Sequence, residues 1–173
     1  MDVAALYKHW SERDVKYFGK VSDKLTGIRC LRQDPWECTL SFICSQNNNI
    51  KRITGLVRSI RNNFGSKICV GPDQTDIYAF PSFDAFKEKV TEQKLRELGF
   101  GYRAPYIVKS TKYIETKGGA SWLDSLRGKP PSVVREELTQ LHGVGSKVAD
   151  CIALFSIDCP SVIPVDTHVF QIA

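Results

Sequence analysis

The chain has 173 residues, enough for one domain with a hydrophobic core. Hydrophobic residues make up 42% and charged residues 25%, an ordinary globular composition that excludes a low-complexity chain. The formal net charge of +5 suits a polyanionic partner, and no apolar run approaches the length needed to cross a bilayer.

Taken in chain order, the pattern is helical almost throughout, and the fold class it predicts is all-α. Ser11 and Asp14 predict the start of a helix that runs through Val21. Asp34-Pro35 sets an N-cap before a proline at the first helical position and opens a helix over residues 36–44. Ile50, Ile53, Leu56, Val57, Ile60 and Phe64 recur at three- and four-residue spacing, one apolar helix face that Gly65 stops. Thr91 opens a short helix that Gly99 ends. Residues 103–116 continue as a helix, with Pro105 in its tolerant first turn. Gly118-Gly119 and Gly128-Lys129-Pro130-Pro131 are breaks. Residues 132–141 and 146–157 form a helix pair, and Asp158-Cys159-Pro160 ends the second member. No strand is predicted. Trp10, Trp36 and Trp122 read as core, and Asp150 as a surface residue.

The six cysteines (Cys30, Cys38, Cys44, Cys69, Cys151, Cys159) contain no Cys-x-x-Cys pair, which argues against a zinc knuckle. Unpaired, and with no secretory signal read at the start, they are expected in a reducing compartment.

The chemistry concentrates in Leu141-His142-Gly143-Val144-Gly145-Ser146-Lys147 and in Pro164-Val165-Asp166-Thr167-His168. The first stretch reads as a tight glycine hairpin feeding a helix. Such a hairpin turns backbone N–H groups of Gly143, Val144 and Gly145 toward an anion, usually a phosphate. Lys147 falls in the first turn of that helix, where the partial positive charge disfavours its ammonium form and leaves an attacking amine. A solvated surface lysine is the plain alternative. Asp166 reads as the N-cap of a helix over residues 167–173, and a capping carboxylate stays ionised. A fixed anion there can stabilise a developing oxocarbenium ion. Phosphate grip, amine and carboxylate together point to chemistry on a nucleotide sugar. Asn47, Asn48 and Asn49 read either as a loop and cap or as a wedge that enters a duplex when a base is extruded. Arg52 and Arg103 offer forked donors, and Tyr102 a flat wedge.

These stretches resemble the helix-hairpin-helix DNA glycosylase superfamily, whose signature is Leu-x-Gly-Val-Gly, a helix, then Pro-Val-Asp-x-His. Leu31-Arg32-Gln33-Asp34-Pro35-Trp36-Glu37, Phe42-Ile43-Cys44-Ser45-Gln46-Asn47-Asn48-Asn49-Ile50 and Leu98-Gly99-Phe100-Gly101-Tyr102-Arg103-Ala104 are similar to the 8-oxoguanine DNA glycosylase branch in particular. The resemblance implies one helical glycosylase core over residues 1–173, with the hairpin motif at about 132–157. It implies removal of 8-oxoguanine paired with cytosine and cleavage of the abasic site by β-elimination through a lysine Schiff base. Lys147 would be the nucleophile and Asp166 the essential aspartate. Asn47, Arg52, Tyr102 and Arg103 would hold the opposite cytosine, and His168 would face a phosphate. Cys151, one turn after Lys147, would line the base pocket in an ammonium–thiolate pair, with a small packing residue as the plain alternative. Gln46 departs from the serine expected beside the wedge.

The implied partner is duplex DNA carrying oxidised guanine opposite cytosine, bound by a monomer in the nucleus or the mitochondrion, with no membrane. No cofactor is implied beyond a hairpin-bound metal ion bridging to phosphate; the cysteine spacing of relatives with an iron–sulfur cluster is absent. The family's N-terminal β-rich domain and later helices fall outside these residues, so the chain reads as the middle of a larger enzyme or a shortened product, with marginal stability expected. Two alternatives remain: an endonuclease III-type pyrimidine-lesion glycosylase, and a non-catalytic helix-hairpin-helix DNA-binding module. The absent cysteine cluster and the asparagine triplet argue against the first. Asp166 and the triplet argue against the second.

Overall fold

A computed structural model describes residues 2–172, which form two compact units, one through Leu31 and one from Arg32 onward. In the first unit α1 spans Val3–Arg13 and α2 spans Phe18–Val21. This differs from the single helix expected from Ser11 to Val21. Asp2 is the true N-cap: its carboxylate accepts the N–H groups of Ala4 and Ala5. Ser11 lies inside α1 and bonds back to the Tyr7 carbonyl at 2.7 Å. Asp14 ends α1 and its carboxylate accepts from Tyr17 and Phe18, so the chain turns there before α2 begins. Tyr7, Trp10 and Phe18 form an aromatic cluster with centroids 5.3–6.0 Å apart. Trp10 was expected in the core and is 44% exposed, since neither helix of this unit buries a residue.

The second unit is built around α3 (Pro35–Ser45). Asp34 caps it by accepting from Glu37 N–H, and Pro35 takes the first position, where its missing donor costs nothing. The helix buries Trp36, Cys38, Thr39, Leu40, Ile43 and Cys44. Burial pushes the Cys38 and Cys44 thiols up to about 12, which leaves them as inert packing groups. α4 (Ile50–Phe64) turns Leu56, Ile60 and Phe64 inward, as the periodicity predicts, but Ile50 in its first turn is 83% exposed. Gly65 ends it for a reason beyond helix stopping: a Cβ there would lie 2.0 Å from the Ala79 carbonyl oxygen.

After α4 comes a hairpin the sequence did not suggest. β1 (Lys67–Val70) pairs antiparallel with β2 (Asp76–Tyr78), with an irregularity between Lys67 and Cys69. Its strands are short and solvent-facing, so they carry no inside–outside alternation to detect. Asp73 sets the turn by accepting both the N–H and the hydroxyl of Thr75.

α5 (Phe83–Lys89), α6 (Glu92–Glu97), α7 (Arg103–Thr116) and α8 (Ala120–Ser125) follow; α7 and α8 pack on α3, α5 on α4 and α6 on α7. α9 (Pro131–Thr139) and α10 (Ser146–Ser156) form the hairpin pair, and α11 (Thr167–Ile172) closes the described chain. The helical expectation therefore holds, with α5, α8 and the small hairpin as elements the sequence reading did not place. α10 packs on both α3 and α9. Leu40, Ile43, Ile60, Phe86, Ile107, Leu138 and Ile152 are wholly buried in one core. Asp150 corrects the sequence reading: it is 6% exposed, because it faces α9, where Arg135 grips its carboxylate at 2.7 and 3.1 Å. That forked pair staples α9 to α10. Among the described residues, no helix is long and apolar enough to cross a membrane.

Candidate active site

The turn between α9 and α10 fixes the first part of the site. Leu141 and Val144 are buried and anchor the hairpin, with Val144 N–H donating to the Leu141 carbonyl at 3.0 Å. Between them Gly143 takes φ 78°, and a Cβ there would lie 2.4 Å from the Tyr106 ring. Only glycine fits both demands. The His142 carbonyl accepts the Ser110 hydroxyl at 3.2 Å, and the Gly143 carbonyl accepts Gln46 Nε2 at 2.6 Å. Gly145 is the N-cap of α10 and supplies no side chain to its first amides. The helix start is therefore free to bind an anion through backbone N–H groups.

Lys147 sits in this first turn, half-buried, with Nζ 5.8 Å from the Phe42 ring centroid. Phe42 in turn stacks on Phe155. One turn on, Cys151 lies buried beside the lysine. Burial raises its thiol above the ordinary range, and the charge and hydrogen bond of Lys147 only partly oppose that. Burial of Cys151 therefore works against the thiolate of the expected pair, while Lys147 favours it.

Asp166 caps α11, and its Oδ1 accepts His168 N–H at 3.0 Å and Val169 N–H at 2.9 Å. The Val169 bond, foremost, holds the carboxyl below the usual carboxylate range, helped by the His168 amide and by the charges of His168 and Lys147. Lys147, Val165, Asp166, Thr167, Phe170 and Gln171 line one open cleft. Amine and carboxylate, 19 positions apart in sequence, therefore face the same space. His168 is exposed on α11.

A second cluster gathers the loop after α3 and the start of α7. Asn47 is exposed and holds φ 42°, a left-handed conformation that asparagine tolerates. Asn48 and Asn49 were both expected to meet DNA, yet their side chains are committed locally. Asn48 donates to the Cys44 carbonyl and accepts Asn49 N–H, while Asn49 caps α4 through Arg52 N–H. The loop-and-cap reading holds for these two, while the Asn47 side chain makes no hydrogen bond among the described residues. Arg103 is the larger difference. It is 1% exposed, where a donor to a base edge was expected. Its guanidinium donates to the carbonyls of Gln46 and Asn47 and lies 4.4 Å over the Tyr102 ring. Its Nε has no partner among the described residues. The carbonyls of a loop that turns left-handed point away from regular structure and need a donor, and Arg103 supplies it. Tyr102 remains half exposed, with its hydroxyl on the Gln46 carbonyl at 3.0 Å. Arg52 is exposed near the Gly99 carbonyl.

The structure brings Lys147, Cys151, Asp166 and the hairpin together, and joins the Asn47 loop to that hairpin through Gln46. Sequence reasoning missed Phe42, Tyr106 and Ser110. Tyr106 and Ser110 carried a usable signal, since a four-residue spacing places both on one face of α7. Among the described residues, no group of three or more His, Cys, Asp or Glu side chains is placed to hold a metal ion.

With this geometry in hand, comparison with known proteins gives consistent matches. Residues 40–173 match the family described as HhH-GPD superfamily base excision DNA repair protein, and residues 1–39 match the 8-oxoguanine DNA glycosylase N-terminal domain. N-glycosylase/DNA lyase OGG1 of Arabidopsis thaliana is 45% identical over all of this chain and 47% of its own length. N-glycosylase/DNA lyase of Saccharomyces cerevisiae is 43% identical over 95% of this chain and 45% of its own. The chain thus spans about half the length of these relatives. A Clostridium acetobutylicum 8-oxoguanine glycosylase/lyase, solved with double-stranded DNA containing cytosine opposite to 8-oxoG, superposes with TM-score 0.82 at 37% identity over 99% of this chain and 57% of that one.

Proposed function

The chain belongs to the HhH-GPD superfamily of base excision DNA repair proteins, and from that membership we propose that it is the catalytic core of an 8-oxoguanine DNA glycosylase and abasic-site lyase. The observation that carries the reading is the cleft shared by Lys147 and Asp166 at the uncapped start of α10. The relatives named N-glycosylase/DNA lyase support it.

In this reading the duplex is held by its phosphates at the amides of Gly143, Val144, Gly145 and Lys147, with His168 reaching a neighbouring phosphate. Asn47 enters the space left by the extruded base, and Arg52 and Tyr102 meet the orphan cytosine and its stack. Arg103 joins them only by leaving its carbonyl partners. The oxidised guanine lies against Cys151. The Lys147 amine, once it has given up its ammonium proton, attacks C1′, a C1′–Nζ bond forms, and the C1′–N9 bond breaks with its electron pair leaving on the base, which takes up a proton from Nζ. The ionised Asp166 carboxylate stabilises the cationic sugar as this bond loosens. The sugar ring then opens to a Schiff base on Lys147. Loss of a C2′ proton expels the 3′ phosphate and nicks the strand, and water releases the lysine.

The chemistry needs no redox cofactor and no cluster. A cation bridging hairpin and phosphate would be held by hairpin carbonyls. Those of His142 and Gly143 each accept one side-chain donor, which leaves one lone pair apiece for such an ion. The working partner is duplex DNA, bound by a monomer in the nucleus or mitochondrion.

Lys147→Gln tests the reading. Nicking of an 8-oxoguanine:cytosine duplex is expected to disappear while DNA affinity stays close to that of the unaltered chain. Nicking that survives the substitution removes Lys147 as nucleophile.

A further inference from the structure

Gln46 stands where the resemblance expects serine, and it makes a contact that a serine is too short to make. Its Nε2 donates to the Gly143 carbonyl at 2.6 Å, across 97 positions of sequence. Its own carbonyl accepts the Tyr102 hydroxyl at 3.0 Å and the Arg103 guanidinium. The next residue is Asn47, whose carbonyl accepts Arg103 at 3.1 Å. One residue therefore ties the loop that presents Asn47 to the hairpin that precedes Lys147. The hairpin is also gripped by α7, through the Ser110 hydroxyl on His142 and the Tyr106 ring against Gly143. Of these grips, the one from Gln46 reaches the hairpin from the asparagine loop itself.

We propose that Gln46 is a positioning residue that couples the asparagine loop to the phosphate-binding hairpin, and so sets the span between the point where a base leaves the stack and the point where its backbone is held. This inference rests on the proposed function above. Extruding a paired base requires both grips at once, because the wedge works only against a backbone that does not slide. A preformed abasic site has no base to unpair and needs the coupling least.

Gln46→Met keeps the length of the side chain and removes the donor. Single-turnover excision from an 8-oxoguanine:cytosine duplex is expected to slow by about fivefold to tenfold, the weight of one hydrogen bond. Borohydride capture on a preformed abasic duplex should stay within about twofold of the unaltered chain, less than one such bond is worth. A merely structural role would slow both reactions alike, and that result, or unchanged excision, overturns the proposal. Amide hydrogen exchange over residues 142–147 supplies a readout free of catalysis. It should quicken in Gln46→Met, and an unchanged pattern contradicts the coupling. If the unaltered chain neither excises nor is captured, the proposed function fails, and the exchange pattern alone still decides the role of Gln46.

Discussion

The two parts of the candidate site are built in opposite ways. In the cleft between α10 and α11, the groups that would do chemistry are held mainly by helix ends. Asp166 bonds to the amides of its own helix, and Lys147 rests against an aromatic ring. In the asparagine loop, geometry is imposed from outside by a buried cation, a tyrosine hydroxyl and two local caps. A helix terminus is enough to fix a charge state, since the backbone supplies the field. Holding a left-handed loop against a helix 56 positions later takes dedicated side chains.

This contrast predicts that substitutions in the cleft change rate and leave stability alone, while those at the buried support of the loop cost stability. The largest effect belongs to Asp166→Asn. Asparagine caps a helix as well as aspartate does, so the melting temperature should hold. Loss of the fixed anion should slow excision by about 100-fold, the scale of one electrostatic contact in a transition state. A matching loss of stability would erase the contrast. Next comes Arg103→Ala, which strips the donor from two loop carbonyls. Urea unfolding should show a loss of about 2 kcal/mol. The preference for cytosine opposite the lesion should also relax; a preference that stays intact would restrict Arg103 to holding the loop.

Gly143→Ala tests the junction of the two parts. The new Cβ would sit 2.4 Å from the Tyr106 ring at φ 78°, at an expected cost of about 1–2 kcal/mol by thermal unfolding. Tyr106→Ala in the same chain should recover part of it. An unchanged melting temperature would mean that the hairpin yields freely. The smallest effect is that of pH on α11. The folded carboxyl of Asp166 titrates below its unfolded value, chiefly because it accepts Val169 N–H. Its capping contribution is therefore complete above the unfolded value of about 4 and is lost as pH falls through the lower folded one. Far-UV circular dichroism should show no titration of this cap between pH 5 and 8, and a transition inside that window contradicts the assignment.

Much of this was legible in the sequence wherever a local rule decides the structure. Thr91, Gly99 and Gly118 bracket α6 and α7, so the span 103–116 was read to the residue. Asp34-Pro35 and Asp166 announce their helices by capping chemistry alone. The misses have a common cause. The burial of Arg103, the pairing of Asp150 with Arg135 and the bond from Gln46 to Gly143 each depend on a partner brought close only by tertiary packing. The β1–β2 hairpin was invisible for the complementary reason that it faces solvent and buries nothing that would leave a pattern. Hence the shared position of Lys147 and Asp166 could be read from the sequence, and the state of the loop beside them could not.

The most direct test of the central claim is borohydride capture of the chain on an abasic-site duplex, followed by peptide mapping of the cross-link. The account predicts a covalent adduct on Lys147. An adduct on another lysine, or no adduct while salt-dependent DNA binding persists, would contradict it and leave a DNA-binding helix-hairpin-helix module in its place.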